Sequence, residues 1–224
     1  MPNIKLITSK FSPYSHKVEM ALIEKNIPYE KEVVDLTNRP EWFVKDAPLG
    51  KVPLLYVDNK VLFESSVICE YLEEAFPEKP LHSKDLVLKS QERAWMEFSN
   101  GLLASIFAVM FAQNQENLED KKEELVHKIH ILEKALSKKT GTFFGGEKLM
   151  LLDITMASVL KPLFFINTKF NLNLLKDCHE TSSYVGKLVT NDLLKKVLPD
   201  NYSEIFKAFL TKKKSHLLTI NSNF

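Results

Sequence analysis

The chain has 224 residues, 45% of them hydrophobic and 26% charged, with a net charge of +1. This is ordinary globular composition, enough for one large domain or two small ones, so disorder is not expected. The charge is too small for the electrostatic footprint of a nucleic-acid or membrane-binding protein. Ile4-Lys5-Leu6-Ile7 reads as a buried first strand, followed by a polar turn and an amphipathic run carrying Val18, Ala21, Leu22 and Ile23. Pro13 suits the first position of a helix, where its missing N–H costs nothing. Ser12 is then the N-cap, with its hydroxyl where backbone N–H groups and the helix dipole favour an anion. Cys-x-x-Cys at this point would read as a thioredoxin-like redox site. Here the frame is Ser12-Pro13-Tyr14-Ser15, with oxygen in place of sulfur. His16 reads as an exposed first-turn residue.

Tyr29 to Val34 alternates like a half-buried strand. Asn38 to Phe43 starts a short helix with Pro40 near its first turn, and Leu54 to Val57 and Val61 to Phe63 form a hairpin about Asp58-Asn59. Glu64-Ser65-Ser66 is expected to cap a helix whose apolar stripe is Val67, Ile68, Tyr71, Leu72 and Phe76. The order implies a mixed four-stranded sheet with helices on both sides. Pro77 to Asp85, with two prolines and four charges, reads as a linker.

From Leu86 the helical period takes over. One helix carries Trp95, Phe98, Leu102, Ile106, Val109 and Met110; a second, from near Glu119, carries Leu125, Ile129, Leu132 and Leu136. Leu149 to Ile166 is apolar nearly all round and so central, with Asp153 in its first turn, able to bond loop N–H groups. His127 and His130 are expected to face solvent, and Lys212-Lys213-Lys214 to be a solvated tail. The longest apolar run, Gly101 to Ala112, is short of the roughly 20 residues a span needs. Charges and Pro13 interrupt the first residues, where a signal-peptide core would lie. Cys69 and Cys178 are isolated, and read as buried spectators in a reducing cytoplasm. No metal-ligand spacing occurs.

The stretches Phe11-Ser12-Pro13-Tyr14, Asn38-Arg39-Pro40-Glu41-Trp42-Phe43, Pro48-Leu49-Gly50-Lys51-Val52-Pro53, Phe63-Glu64-Ser65, Cys69-Glu70-Tyr71-Leu72 and Thr142-Phe143-Phe144-Gly145-Gly146 occur in order. As a set, spanning residue 4 to about 165, they resemble the cytosolic glutathione transferases, most closely the omega class. The resemblance implies an α/β plus all-α fold: a thioredoxin-like glutathione-binding domain over residues 1–78, a linker over 79–86, and an all-helical domain over 87–224. It also implies a cis Pro53 whose neighbour Val52 pairs its backbone with the glutathione cysteine. Ser65 would hold the γ-glutamyl carboxylate, Glu64 would meet its ammonium, and Arg39 the glycyl carboxylate. Tyr14 and Leu36 would line the flank of the peptide.

Ser12 stands where the omega class carries cysteine. The zeta and theta classes use serine there, and its hydroxyl donates a hydrogen bond to the glutathione sulfur. The resemblance therefore implies a transferase of detoxification type with Ser12 catalytic and glutathione as co-substrate. It further implies a small hydrophobic electrophile, a homodimer in the cytoplasm, and no metal. Met150 replaces the Ser/Thr that opens the family's capping box, and Ala157 and Val159 replace aromatic residues of the second-substrate site. Two other readings stay open. Tyr14-Ser15-His16-Lys17-Val18 also resembles the stringent starvation protein A group, which implies a non-catalytic regulatory protein on the same fold. A glutathione-dependent peroxidase or isomerase is the other.

Overall fold

The computed structural model describes residues 2–221. Its first part runs β1 (Ile4–Thr8), α1 (Pro13–Glu24), β2 (Glu30–Val33), α2 (Glu41–Asp46), β3 (Leu54–Val57), β4 (Lys60–Phe63) and α3 (Ser65–Ala75). The strands form one four-stranded sheet in the order β2-β1-β3-β4. Strands β1 and β2 are parallel; β1–β3 and β3–β4 are antiparallel, with Leu6 opposite Leu55 and Ile7 opposite Leu54. Alternation along β1 sends Ile4 and Leu6 to the face covered by α1 and α3, while Ile7 joins Leu54, Val34 and Phe43 of α2 on the other. The central strands β1 and β3 bury side chains on both faces, while the edge strands β2 and β4 are largely exposed.

The rest is helical: α4 (Leu86–Met110), α5 (Gln115–Leu136), α6 (Leu151–Lys169), α7 (His179–Val189), α8 (Asp192–Val197), α9 (Tyr202–Lys212) and α10 (Leu217–Ile220). Helix α5 starts at Gln115 rather than near Glu119, because the Asn114 side chain accepts from Asn117 N–H at 2.8 Å and caps it there. Its expected stripe of Leu125, Ile129, Leu132 and Leu136 is buried against α4. Helix α6 is long and apolar enough, by length and composition alone, to cross a membrane, but it is mostly buried among α1, α4 and α7. It is the core helix that its all-round apolarity indicates.

Several side chains depart from the sequence expectation. His16 is only 5% exposed, because α1 is covered by α6 and α8 as well as by α3 and the sheet. Burial, with Lys31 nearby, lowers its pKa to about 4. Val67 is 58% exposed and lies off the buried stripe of α3. The triple lysine is solvent-exposed but not a free tail: Lys212 ends α9, and the Lys213 ammonium sits 5.1 Å from the Phe111 ring centroid.

Where the chain passes from α3 to α4, His82 is clamped between two carboxylates. Its Nδ1 meets Glu92 at 2.7 Å and its Nε2 meets Glu70 at 3.1 Å, while Arg93 pairs with the other Glu70 oxygen. Burial alone would lower the His82 pKa, but the two carboxylates outweigh it and hold the ring at about 8. The folded pKa lies above the unfolded value near 6.5, so the clamp is fully stabilising below that pH and is lost as pH rises through about 8. Unfolding free energy is expected to fall by about 1–2 kcal/mol across that window. Urea melts at pH 6 and pH 9 check this, and His82→Gln should flatten the dependence.

Candidate functional site

Helix α1 begins as its sequence dictates. Pro13 is its first residue and Ser12 its N-cap, in extended backbone at φ −149°. The Ser12 hydroxyl accepts from Ser15 N–H at 3.2 Å and from the Ser15 hydroxyl at 3.1 Å. With two donors aimed at its oxygen, the Ser12 proton is left to be donated elsewhere. Ser12 is 6% exposed. Phe11, just before it, stacks into an aromatic group with Phe206 and Phe209 of α9 at 5.3 and 4.6 Å.

A cavity of about 270 Å³ opens beside this turn. Tyr14, Val52, Pro53, Glu64 and Ser65 line it, so the structure brings these sequence-nominated residues together. Val52–Pro53 is cis. Ser12, Leu36 and Arg39 do not line the cavity. Leu36 packs against the core that holds Phe43 and Val52, and its carbonyl accepts from Arg39 Nε at 3.1 Å. The Arg39 guanidinium lies over Gly50, where an added Cβ would come within 2.7 Å of its Nη1. Gly50 has φ +58°. A side chain there would displace the guanidinium as well as strain the turn. Arg39 thus stands behind the rim formed by Pro48, Leu49 and Lys51.

The start of α3 differs from the expected capped helix. Glu64 occupies the N-cap position at φ +67°, and no side chain caps the helix. A non-glycine residue held at positive φ costs about 1–3 kcal/mol and is kept where the surroundings demand it. The consequence is chemical: the first N–H groups of α3 have no side-chain cap, and Ser65 and Ser66 border the cavity there. A helix N-terminus in this state attracts a carboxylate.

Sequence reasoning missed Lys17, Lys51, Ser66 and Asn100. Lys17 is 1% exposed, and its ammonium donates to Ser66 Oγ at 3.0 Å. Burial lowers its pKa, while Cys69, Glu97 and Glu64 act in the opposite direction. A lysine on α1 reads as solvent-facing, and nothing in the local pattern signals that α3 covers it. Burial, with Glu64 nearby, also raises the Tyr14 pKa, so its hydroxyl stays protonated. Cys69 and Cys178 are buried free thiols, and burial pushes Cys69 up to about 12, which leaves it inert.

In the helical part, Asp153 is fully buried and accepts from Phe144 N–H, Met150 N–H and the Tyr184 hydroxyl at 2.8, 3.0 and 2.6 Å. The Met150 side chain contributes no cap, so Asp153 supplies the surviving half of the box. Ala157 and Val159 are both buried in α6 at 3% and do not line the cavity.

The model of the family described as Glutathione S-transferase, N-terminal domain, matches residues 11–75. Over 151 residues the chain is 33% identical to glutathione S-transferase omega-1 of Rattus norvegicus, covering 67% of this chain and 63% of that one. It therefore spans less than two thirds of that relative's length. Over 155 residues it is 32% identical to a probable glutathione S-transferase of Nicotiana tabacum, covering 69% of this chain and 68% of that one. The Tau class glutathione S-transferase of mango, Mangifera indica, superposes with a TM-score of 0.81 at 22% identity, over 94% of this chain and 98% of that one. The sheet-then-helices architecture is that of these enzymes: a thioredoxin-like sheet followed by a helical part. By sequence and fold together, the chain belongs to the glutathione S-transferase family.

Proposed function

We propose that this chain is a glutathione transferase in which Ser12 activates the glutathione thiol for attack on a small hydrophobic electrophile. The observation that carries the reading is the cavity at the uncapped start of α3, where Ser65, Glu64, Val52 and Tyr14 converge beside the Ser12 turn. The γ-glutamyl carboxylate would take the α3 N-terminus, with the buried Lys17 ammonium behind Ser66 adding positive potential. Glu64 would face the ammonium, and Arg39 with Lys51 the glycyl carboxylate. Ser12 would donate a hydrogen bond from its hydroxyl to the sulfur, keeping its proton. A free thiol titrates near 8.5, and a donor at a helix N-terminus lowers that by about one to several units. The thiol proton leaves to solvent and a sulfur lone pair forms the S–C bond. With an aryl halide, the halide then departs with its bonding electrons. Leu49, Phe63 and Val67, exposed around this region, offer an apolar surface for the homodimer.

Calorimetric titration with reduced glutathione tests the reading. Binding in the micromolar-to-millimolar range is expected, together with a depressed thiol pKa seen by thiolate absorbance. Ser65→Ala should weaken binding about tenfold, the worth of one hydrogen bond to a charged group. No binding by the parent protein would overturn the proposal and leave the regulatory reading.

A further inference from the structure

The sheet face covered by α2 carries a second cavity, of about 340 Å³, which shares no lining residue with the first. Lys5 and Ile7 alternate onto this face from β1, and Tyr56 joins them from β3, directly beside Lys5. Trp42 and Asp46 come from α2, and Asp58 from the β3–β4 turn. The Trp42 ring is braced edge-on against Phe43, with centroids 5.8 Å apart. The Tyr56 hydroxyl donates to Asp46 Oδ2 at 2.6 Å, and Asn3 N–H donates to Asp58 Oδ1 at 2.9 Å. Each aspartate is thus fixed through one oxygen. Glu32, the third carboxylate in the lining, is paired with Lys5 at 2.7 Å. Neither Asp46 nor Asp58 takes part in an ion pair among the described residues. The uncompensated charge at this cavity is therefore negative, and it stands beside two aromatic rings.

We propose that this cavity binds a small quaternary ammonium ion. The cation would lie against the Trp42 and Tyr56 rings, with Asp46 and Asp58 compensating its charge. A quaternary ammonium has no N–H to donate, so ring faces and opposite charge are what recognise it, and the cavity offers both. A metal ion would need several oxygen ligands converging on one point, and one oxygen of each aspartate is already taken. The volume is within the range of small-molecule sites, about 300–1,000 Å³. The rings would supply contact area, and the aspartates would select the cation over a neutral molecule of the same shape.

The test is a titration with choline and with 3,3-dimethylbutan-1-ol, its neutral carbon isostere, followed through the indole N–H signals of the two tryptophans by NMR. Choline is expected to move the Trp42 signal, to leave that of Trp95 on α4 in place, and to bind at least tenfold more tightly than the alcohol. Saturating glutathione should leave this unchanged, because the two cavities share no residue. Asp46→Asn/Asp58→Asn removes both charges while an amide oxygen still accepts from Tyr56 and from Asn3. Asparagine also tolerates the φ of +52° at position 58. In this variant choline should lose at least tenfold, with the alcohol unchanged. Should the double variant fail to fold, Asp58→Asn alone, at an exposed turn position, is expected to cost choline at least threefold. No shift at Trp42, equal affinity for choline and the alcohol, displacement of choline by glutathione, or choline binding that survives the asparagine replacements would each overturn the proposal.

Discussion

Ser12→Ala is expected to lower kcat/KM for conjugation of an activated aryl halide by roughly 10- to 100-fold. The figure follows from losing one hydrogen bond to a thiolate, worth about 1.5–3 kcal/mol, at about 1.4 kcal/mol per factor of ten. The same loss should raise the thiol pKa of bound glutathione by roughly one to two units. The rise of kcat/KM with pH then moves upward with the thiol. Affinity for glutathione should change little, because the carboxylate contacts proposed for Ser65, Arg39 and Lys51 do not involve Ser12. The substitution also removes the α1 cap, where the hydroxyl accepts from Ser15 N–H, at about 0.5–2 kcal/mol of stability. A melting curve and a glutathione titration on the variant separate that cost from the chemistry. An unmoved thiol pKa and parental turnover would remove Ser12 from the mechanism. Ser12→Cys gives the converse result: a gain of thiol-transferase activity, since the sulfur would occupy the cap position of a helix N-terminus.

What the sequence made legible follows from how local each signal is. Ser12-Pro13 sets the start of α1 by N-cap and N1 chemistry that involves adjacent residues. The β3–β4 hairpin follows from the Asp58-Asn59 turn, and the central place of α6 from apolarity that needs no partner to be seen. The opposite case is α3, where two serines after Glu64 look like caps. Glu64 takes positive φ instead and leaves the helix without a side-chain cap, which the local residue pattern does not signal. His16 and Lys17 fail for a related reason. Polar residues in the first turns of a helix are solvent-facing by default, but α1 is enclosed on several sides by elements that lie 40 to 180 residues further along the chain. The packing of Phe11 against Phe206 and Phe209 is likewise invisible until α9 is placed. The start of α1 was readable from adjacent residues, whereas the start of α3 and the elements that close over α1 were not.

Glu73→Ala should have the largest effect on stability, about 3–5 kcal/mol, because it breaks a fully enclosed ion pair. Lys25 Nζ meets Glu73 Oε1 at 2.6 Å, with the two side chains 1% and 5% exposed. Neither charge is left short of partners: Lys25 also donates to the Lys79 carbonyl at 2.9 Å, and Glu73 Oε2 accepts from Leu81 N–H at 2.8 Å. Removing the carboxylate strands a buried ammonium and orphans a backbone N–H, each expensive away from water. Glu73→Gln keeps one acceptor oxygen and sets an NH2 against the other donor, so it should recover only part of the Glu73→Ala loss. Lys25→Met with Glu73→Leu, which buries no charge at all, should recover much of the loss. Urea denaturation of the three variants checks the order, and a Glu73→Ala cost under about 1 kcal/mol would show that water reaches the pair. The pair also bears on the site, since it joins the C-terminal end of α1 to that of α3 and to the chain leading into α4. The opposite ends of those two helices carry Ser12 and Ser65. An ion pair that fixes the far ends of both helices therefore holds the separation between the proposed thiolate donor and the proposed carboxylate site.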